Sequence, residues 1–247
     1  MSTKNYKEGD LLKDQNGNPL KLFGLDYTEM VFVEAGSFKI GEKEDYEVSI
    51  EKGYFIGKYT VTQGLYERVM KNNPSYSKYS HFPVTNVDYG GLLAYPENNF
   101  FNRFKLELIS DSIHPNIDGD FGLPSEIQWE YAARGGKKWN SPKLLYSGSQ
   151  NLKDVAWYKD NANTLMPVGL KQPNQLGIYD MSGNVWEWCK NVRQDNNEIL
   201  FGRGFALRGG CFGENSIYME VSFGHLPSPI SFTDNATNGF RLIFIPH

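Results

Sequence analysis

Residues 177–189, which we call the anchor stretch, constrain the fold more than any other part of the chain. Here Trp186 and Trp188 lie close in sequence to the carboxylates Asp180 and Glu187. The glycines of the stretch allow tight backbone turns, and a buried indole N–H needs a hydrogen-bond partner. The spacing matches neither a helix nor a strand. We therefore interpret the anchor stretch as a folding nucleus, a cation site, or both.

Length and composition indicate one loop-rich globular domain. The chain has 247 residues, which is enough for one sizeable core. Its aromatic content of 15%, with 25 Gly and 12 Pro, argues against a helical bundle. A net charge of −4 without a basic stripe argues against a nucleic-acid partner. The sequence contains neither a membrane-spanning apolar run nor the apolar core of a signal peptide.

The only cysteines are Cys189 and Cys211, which is fewer than a disulfide-stapled module carries. Two free thiols and one disulfide both fit this spacing.

Local patterns predict short strands and few helices. Residues 1–28 are polar and are expected to form a loosely ordered leader, with a hairpin at Asn16-Gly17. Residues 29–247 are expected to form a single domain. Thr62 and Ser125 are predicted helix N-caps, and a further helix is predicted over about 89–108 despite the interior Pro96. The predicted strands are 30–33, 37–40, 46–50, 53–62, 205–210 and 241–245.

Seven motifs in order resemble the formylglycine-generating-enzyme/sulfatase-modifying-factor family, and together they cover roughly residues 30–245. They are Val33-x-x-Gly36-x-Phe38-x-x-Gly41, residues 55–62, residues 83–87, residues 123–135, residues 173–188, Leu207-Arg208-Gly209-Gly210 and Gly239-Phe240-Arg241. The resemblance implies an α+β, C-type-lectin-like fold, with mixed sheets, few helices and much irregular loop.

The catalytic equipment of that family is not found in the sequence. The resemblance implies two copper-binding cysteines downstream of the Arg-Gly-Gly motif, but Cys211 is the single cysteine there. One thiolate cannot reproduce a two-thiolate Cu(I) site, so no copper and no enzymatic activity are expected. The four histidines show no facial-triad spacing for iron. A formylglycine-generating oxidoreductase with a displaced thiol pair and a catalytically dead regulatory homologue remain as alternatives.

Residues 211–238, which we call the binding segment, match nothing in the family, although both flanking motifs match well. This combination resembles the non-catalytic variable proteins of diversity-generating retroelements, among them a treponemal variable protein, and implies a variable region over 207–241. In those proteins the adenines of Asn codons are randomised. Only Glu214, Met219 and Glu220 of the segment lie outside the residue types that such changes reach. An ordinary divergent loop is the alternative.

The composition of the binding segment is typical of a ligand-binding surface, because aromatic and small polar residues dominate such surfaces. Val221, Ile217 and Ile230 are expected to face the core instead. The predicted ligand-contacting residues are Phe212, Asn215, Ser216, Tyr218, Ser222, Phe223, His225, Ser228, Phe232 and Asp234.

The resemblance also implies a structural calcium site in the anchor stretch. Carboxylate oxygens would come from Asp180 and Glu187, and backbone carbonyls from Gly183 and Val185. The alternative is that both carboxylates cap local N–H groups or pair with arginine.

The expected partner is a protein or glycan on another cell or surface. The expected location is the cell surface, with a lipid anchor on a leader that this sequence lacks; if the leader shown is native, the location would be cytoplasmic.

Overall fold

The computed structural model describes residues 6–42, 46–94, 99–111, 117–138, 143–193, 199–225 and 236–247. Its strands are β1 (Met30–Val33), β2 (Gly36–Ile40), β3 (Tyr46–Ile50), β4 (Tyr54–Gly57), β5 (Gly119–Gly122), β6 (Trp186–Arg193), β7 (Ile199–Arg208), β8 (Gly224–His225), β9 (Asn238–Phe240) and β10 (Ile243–Pro246). Its α-helices are α1 (Gln63–Met70), α2 (Phe100–Ser110), α3 (Glu126–Ala133) and α4 (Leu152–Val155). Short 3₁₀ turns cover Leu22–Gly24, Gly136–Lys138 and Ser216–Met219, and a π turn covers Gly90–Ala94.

An antiparallel sheet, a mixed sheet and one hairpin form the β-structure of the described residues. One sheet has the order β1-β4-β10-β5, the other has the order β8-β7-β6-β9, and β2 pairs with β3. In the second sheet β6 runs antiparallel to β7 and parallel to β9. The opposite neighbours of Glu187 are therefore Arg208 on one side and Gly239 on the other. Both flanking motifs of the binding segment thus lie next to the anchor stretch.

The helix caps agree with the sequence predictions. The Thr62 side chain accepts a hydrogen bond from the Leu65 N–H at 3.3 Å at the start of α1. Ser125 and Gln128 form a reciprocal capping box at the start of α3, with bonds of 3.1 and 2.9 Å. The predicted helix over 89–108 is only partly right, because the π turn at 90–94 is separate from α2. Residues 95–98 between them lie outside the described part.

The expectation of a loosely ordered leader is wrong for residues 6–28. Leu12, Leu20 and Leu22 are buried in the main core, and the Leu12 N–H donates to the Met30 carbonyl at 2.8 Å. The predicted turn at Gly17 is present, with φ of 82° and a bridge between Lys13 and Pro19. A mostly polar segment packs here because its few leucines face the sheet, where they bury apolar area.

The anchor stretch also differs from its prediction, because its second half begins strand β6. The residues from Trp186 to Cys189 are all buried, so the strand lacks the alternation that marks a half-exposed strand. Its first half is irregular, with left-handed backbone at Asp180, Gly183 and Asn184. A Cβ at Gly183 would lie 2.3 Å from the Trp157 carbonyl oxygen, so the close approach there requires glycine.

Candidate ligand-binding surface

The start of the binding segment is fixed by Arg208, the last residue of β7. Its guanidinium is buried and pairs with Glu130 and, at 3.3 Å, with Glu126. The same group donates to the backbone carbonyls of Val221 at 3.0 Å and Ser222 at 3.3 Å. Arg208 therefore joins helix α3 to the main chain of the binding segment with charge-assisted hydrogen bonds.

The end of the binding segment is fixed by Arg241. Its Nε and Nη2 donate to the two carboxylate oxygens of Glu187 at 3.0 and 2.7 Å, and its Nη1 donates to the Gly57 carbonyl at 2.7 Å. The Trp129 indole N–H also donates to Glu187, at 2.6 Å. Arg241 and Glu187 are fully buried, so the pair is a bidentate ion pair shielded from water.

Trp129 connects the two ends. Its indole bonds Glu187, and its ring lies 5.3 Å from the Arg208 guanidinium, a distance at which a cation is attracted to the ring face. We call this buried set (Glu126, Trp129, Glu130, Glu187, Arg208 and Arg241), together with the anchor stretch, the frame.

The frame makes several hydrogen bonds to main-chain atoms of the binding segment. The Asn184 carbonyl accepts from the Phe212 N–H at 3.1 Å, and the Ser182 hydroxyl donates to the Met219 carbonyl at 2.8 Å. Outside the frame, the Val221 N–H donates to the Leu145 carbonyl at 3.0 Å. With the two Arg208 bonds, these contacts fix the main-chain path of residues 212–222, and none of them involves a side chain of the segment.

Close packing in the Arg-Gly-Gly motif brings the segment against the frame. Gly210 has a φ of 73°, and a Cβ there would lie 2.7 Å from the Met219 side chain. The Gly183 N–H donates to the Gly209 carbonyl at 2.7 Å. The Met219 side chain is itself buried, in a small cluster with residues of 146–158.

Aromatic side chains form the centre of the surface. The Tyr218 and Phe223 rings meet edge-to-face, with centroids 5.0 Å apart. Both pack on Trp186, at 6.1 and 6.4 Å, which is buried while Tyr218 and Phe223 are half-exposed. The result is a partly exposed aromatic patch on a rigid base, and such anchors contribute most of the energy at protein interfaces.

The other predicted contact residues occupy varied positions. Asn215 and Ser216 are exposed, whereas Phe212 and Ser222 are both partly buried. The backbone of His225 pairs with Leu207 at the edge of the sheet. Ser228, Phe232 and Asp234 lie outside the described residues.

The core predictions within the segment have mixed outcomes. Val221 is buried, as predicted, whereas Ile217 is 55% exposed and its prediction is wrong. Ile217 lies in the 3₁₀ turn Ser216–Met219, and it is Met219 that points into the core there. Ile217 thus adds an apolar group to the surface that its residue type did not suggest. Ile230 lies outside the described residues.

Glu187, one of the four residues assigned to calcium, is already engaged by other groups of the protein. Both carboxylate oxygens of Glu187 are bonded to Arg241 or Trp129, and a second cation beside Arg241 would be repelled. The Gly183 carbonyl accepts the Val185 N–H at 2.9 Å. Within the described residues, no three His, Cys, Asp or Glu side chains are grouped so as to hold a metal. Glu187 follows the alternative weighed from the sequence, pairing with arginine.

Asp180 is also bonded within the protein. Its Oδ2 accepts the Gly169 N–H at 2.7 Å, which fixes a neighbouring turn. Burial raises the pKa of this carboxyl from 3.8 to about 6, a rise that the Gly169 bond and then Arg241 partly oppose.

Both cysteines are buried free thiols. Cys189 lies in β6 opposite Ala206, and Cys211 follows Gly210. Burial raises the pKa of each thiol above its usual value. A reactive cysteine requires the opposite, since the thiolate is the nucleophile and metal ligand.

Comparison with known proteins places the chain in a family. The model of the sulfatase-modifying factor enzyme 1-like domain matches residues 23–244, and the chain belongs to this family. In solved structures, Treponema denticola variable protein 1 is similar, with a TM-score of 0.72 and 26% identity over 92% of this chain and 98% of that one. PvdO from Pseudomonas aeruginosa has a TM-score of 0.67 at 22% identity, covering 97% and 99%, and shows the fold alone. The predicted family and fold class are confirmed.

Relatives in sequence carry diverse names. The chaperone protein LppX of Paenibacillus barcinonensis is 34% identical over 204 residues, 65% of this chain and 70% of LppX. Inactive C-alpha-formylglycine-generating enzyme 2 of Mus musculus is 40% identical over 133 residues, 48% of this chain and 41% of that protein. Serine/threonine-protein kinase pkn1 of Chlamydia caviae is 27% identical over 250 residues, 87% of this chain. The chain spans 38% of pkn1.

Among the described residues, no helix is long and apolar enough to cross a membrane.

Proposed function

We propose that this protein is a non-catalytic binding protein, of receptor or adhesin type, whose binding segment forms a diversified ligand-binding surface. The proposal rests on one observation: the frame forms hydrogen bonds to the main chain of residues 212–222. Hydrogen bonds to peptide groups are indifferent to side-chain identity. The frame can therefore hold many different sequences in one path.

One of the three residues that randomised Asn codons cannot produce, Met219, gives this proposal further support. Of these three, Met219 is fully buried and packs against Gly210. A fixed methionine suits that place, because it fills a gap between frame and segment. Exposed Asn215 and Ser216 and half-exposed Tyr218 are all of reachable types.

The proposed ligand is a protein or glycan on another cell, and the proposed location is the cell surface, with a lipid-anchored leader. The similarity to Treponema denticola variable protein 1 over nearly its full length supports the binding role. The aromatic patch of Tyr218 and Phe223 would supply contact area, and Asn215 and Ser216 adaptable hydrogen bonds.

Sequencing the gene from many clonal cultures tests the proposal. We expect substitutions concentrated at the adenines of Asn codons within 211–238, with the frame codons unchanged. The stretch encoding residues 60–135 of the same gene serves as the internal control. An even spread of changes over both stretches would contradict diversification.

A regulatory homologue is the second candidate, favoured by relatives named as an inactive generating enzyme and as a chaperone. In this case the surface would bind one fixed protein, and a pull-down with the purified chain would recover the same partner from independent isolates.

The oxidoreductase alternative is tested by supplying copper and a cysteine-containing sulfatase peptide. We expect no turnover, because both thiols are buried with raised pKa values.

A further inference from the structure

A small cleft lies between residues 27–30 and residues 57–61, and no described residue of the binding segment lines it. Its interior volume is about 10 Å³, which is room for one water-sized group. Met30, Val61, Leu65 and Leu242 supply apolar walls, and Glu29, Thr60 and two tyrosines supply the polar and aromatic ones.

Two polar atoms of the cleft residues lack partners. The hydroxyl of Thr60, a residue only 1% exposed, and the Glu29 Oε2 atom are buried without a hydrogen-bond partner among the described residues. Leaving such groups unpaired costs free energy, and most of all for a charged carboxylate. Both atoms can accept hydrogen bonds, so they favour a guest that donates them.

The aromatic walls favour a positive charge on that guest. The Tyr27 and Tyr59 rings meet edge-to-face at 5.3 Å, and Tyr59 stacks on Tyr179 at 5.2 Å. Ring faces attract cations. Burial first, and then the negative charge of Glu29, raise the pKa of Tyr59 above its usual value. The Lys58 ammonium lies 5.4 Å from the Tyr59 centroid and forms no ion pair with Glu29 within the described structure.

The backbone at the mouth of the cleft is strained. Tyr27 has a φ of 62°, in the left-handed region that bulky residues rarely adopt. The next residues hold it there: the Thr28 hydroxyl donates to the Leu25 carbonyl at 2.7 Å, and the Glu29 carbonyl accepts the Lys58 N–H at 2.8 Å. Strain of this kind persists where a fixed side-chain position is needed, and here it places an aromatic ring against the cleft.

We propose that this cleft binds one compact monovalent cation with N–H donors, either a free ammonium ion or the head of a primary amine such as a lysine side chain. Glu29 would supply the countercharge, Thr60 an acceptor oxygen, and Tyr27 and Tyr59 the aromatic enclosure. A divalent ion such as calcium is disfavoured because it needs six to eight hard oxygen ligands, and the cleft offers one carboxylate.

The test follows the thermal unfolding of the whole chain in chloride salts at constant ionic strength. Tetramethylammonium, which is too large for the cleft, serves as the reference cation. We expect ammonium to raise Tm saturably, as a ligand of the folded state does. An equal response to n-butylammonium would identify an amine head as the guest, and a response to ammonium alone would identify the free ion. No saturable response to either, or the same response to tetramethylammonium, would overturn the proposal.

Four variants assign the response to the cleft. Thr60→Val and Glu29→Gln should each weaken the apparent affinity by about tenfold or more, since each removes a hydrogen bond to a charged group. Thr60→Ser keeps the hydroxyl, and Glu67→Gln removes an exposed carboxylate on α1, so both should respond as the unaltered chain does. An undiminished response in both Thr60→Val and Glu29→Gln would place the cation elsewhere and refute the site.

The sign of the stability change gives a further check. In tetramethylammonium alone, Thr60→Val should melt at the same or a higher temperature than the unaltered chain, because it removes an unpaired buried hydroxyl. Saturating ammonium should reverse that order. If the order stays the same in both salts, the cleft holds no cation.

Discussion

The frame and the binding segment use different chemistry. The frame is held by side chains: Arg241 and Glu187 form a buried bidentate pair, and Arg208 pairs with Glu130. The described part of the segment is held by hydrogen bonds to its peptide groups and by the buried side chains of Met219 and Val221, whereas residues 215–217 are exposed. Tolerance to substitution therefore depends on whether the rest of the protein binds the main-chain atoms or the side chains of a region. A region that is held by its main chain can change its side chains. The side chains that hold it cannot change in the same way.

Glu187→Gln should produce the largest loss of stability. It removes the bidentate charged partner of the buried Arg241 guanidinium, at a cost of about 3–5 kcal/mol. Urea unfolding measures this, with Glu34→Gln as the matched control, because the Glu34–Lys137 pair lies at the surface and should lose less than about 1 kcal/mol. Similar losses in both variants would show that the buried Arg241–Glu187 pair contributes no more to stability than a surface ion pair.

Trp186→Ala should follow, with a loss of about 3–5 kcal/mol for a large buried ring. Trp186 contacts both Tyr218 and Phe223. Because 6% of its surface remains exposed, we expect the loss of stability toward the lower end of that range. Tyr76→Ala, at a ring that is 77% exposed, should change stability by less than about 0.5 kcal/mol. A Trp186 variant as stable as the Tyr76 variant would show that the aromatic patch has no rigid base.

Asp180 should make the stability of the frame depend on pH. Its pKa is raised from 3.8 to about 6 in the folded state, so the folded chain holds the proton more tightly than the unfolded chain. The contribution is complete below about pH 4 and is lost as pH rises to about 6, by about 2–3 kcal/mol. Unfolding curves across this window measure the loss.

Asp180→Asn is the control for this titration. It keeps an acceptor for the Gly169 N–H, and Asn tolerates the left-handed backbone at this position. The slope of stability between pH 4 and 6 should flatten in this variant. An unchanged slope would assign the titration to another group.

Tyr218→Ala should have the smallest effect on stability and the clearest effect on binding. It removes edge-to-face contacts with Trp186 and Phe223, worth about 1 kcal/mol. Binding to a glycan array and to a panel of immobilised surface proteins, measured beside the unaltered chain, should fall by about tenfold or more for any bound probe. A stability loss equal to that of Trp186→Ala, with binding intact, would assign Tyr218 to the frame.

Local chemistry made much of the fold predictable from sequence. Thr62 and Ser125 were found as helix caps because capping depends on neighbouring residues. The strand at Trp186 was missed because a strand buried on both faces shows no alternation. The leader was misjudged because three buried leucines outweigh a polar composition.

The candidate site was predictable only in outline. The flanking motifs marked the limits of the binding segment, but the sequence did not show that Glu187 lies between Arg208 and Gly239. Without this long-range pairing, the carboxylates of the anchor stretch were interpreted as calcium ligands. The exposure of Ile217 depended on a 3₁₀ turn, and short turns of this kind leave little signal in composition.

The position of β6 between β7 and β9 has a consequence for chain length. Because Glu187 lies opposite both Arg208 and Gly239, the ends of the intervening stretch are fixed about two strand spacings apart, roughly 10 Å. With the ends fixed, loop-closure entropy changes slowly, and doubling the number of residues costs only about 0.6 kcal/mol. If the stretch tolerates new side chains as proposed, it should also tolerate inserted residues, so peptides could be grafted between β7 and β9.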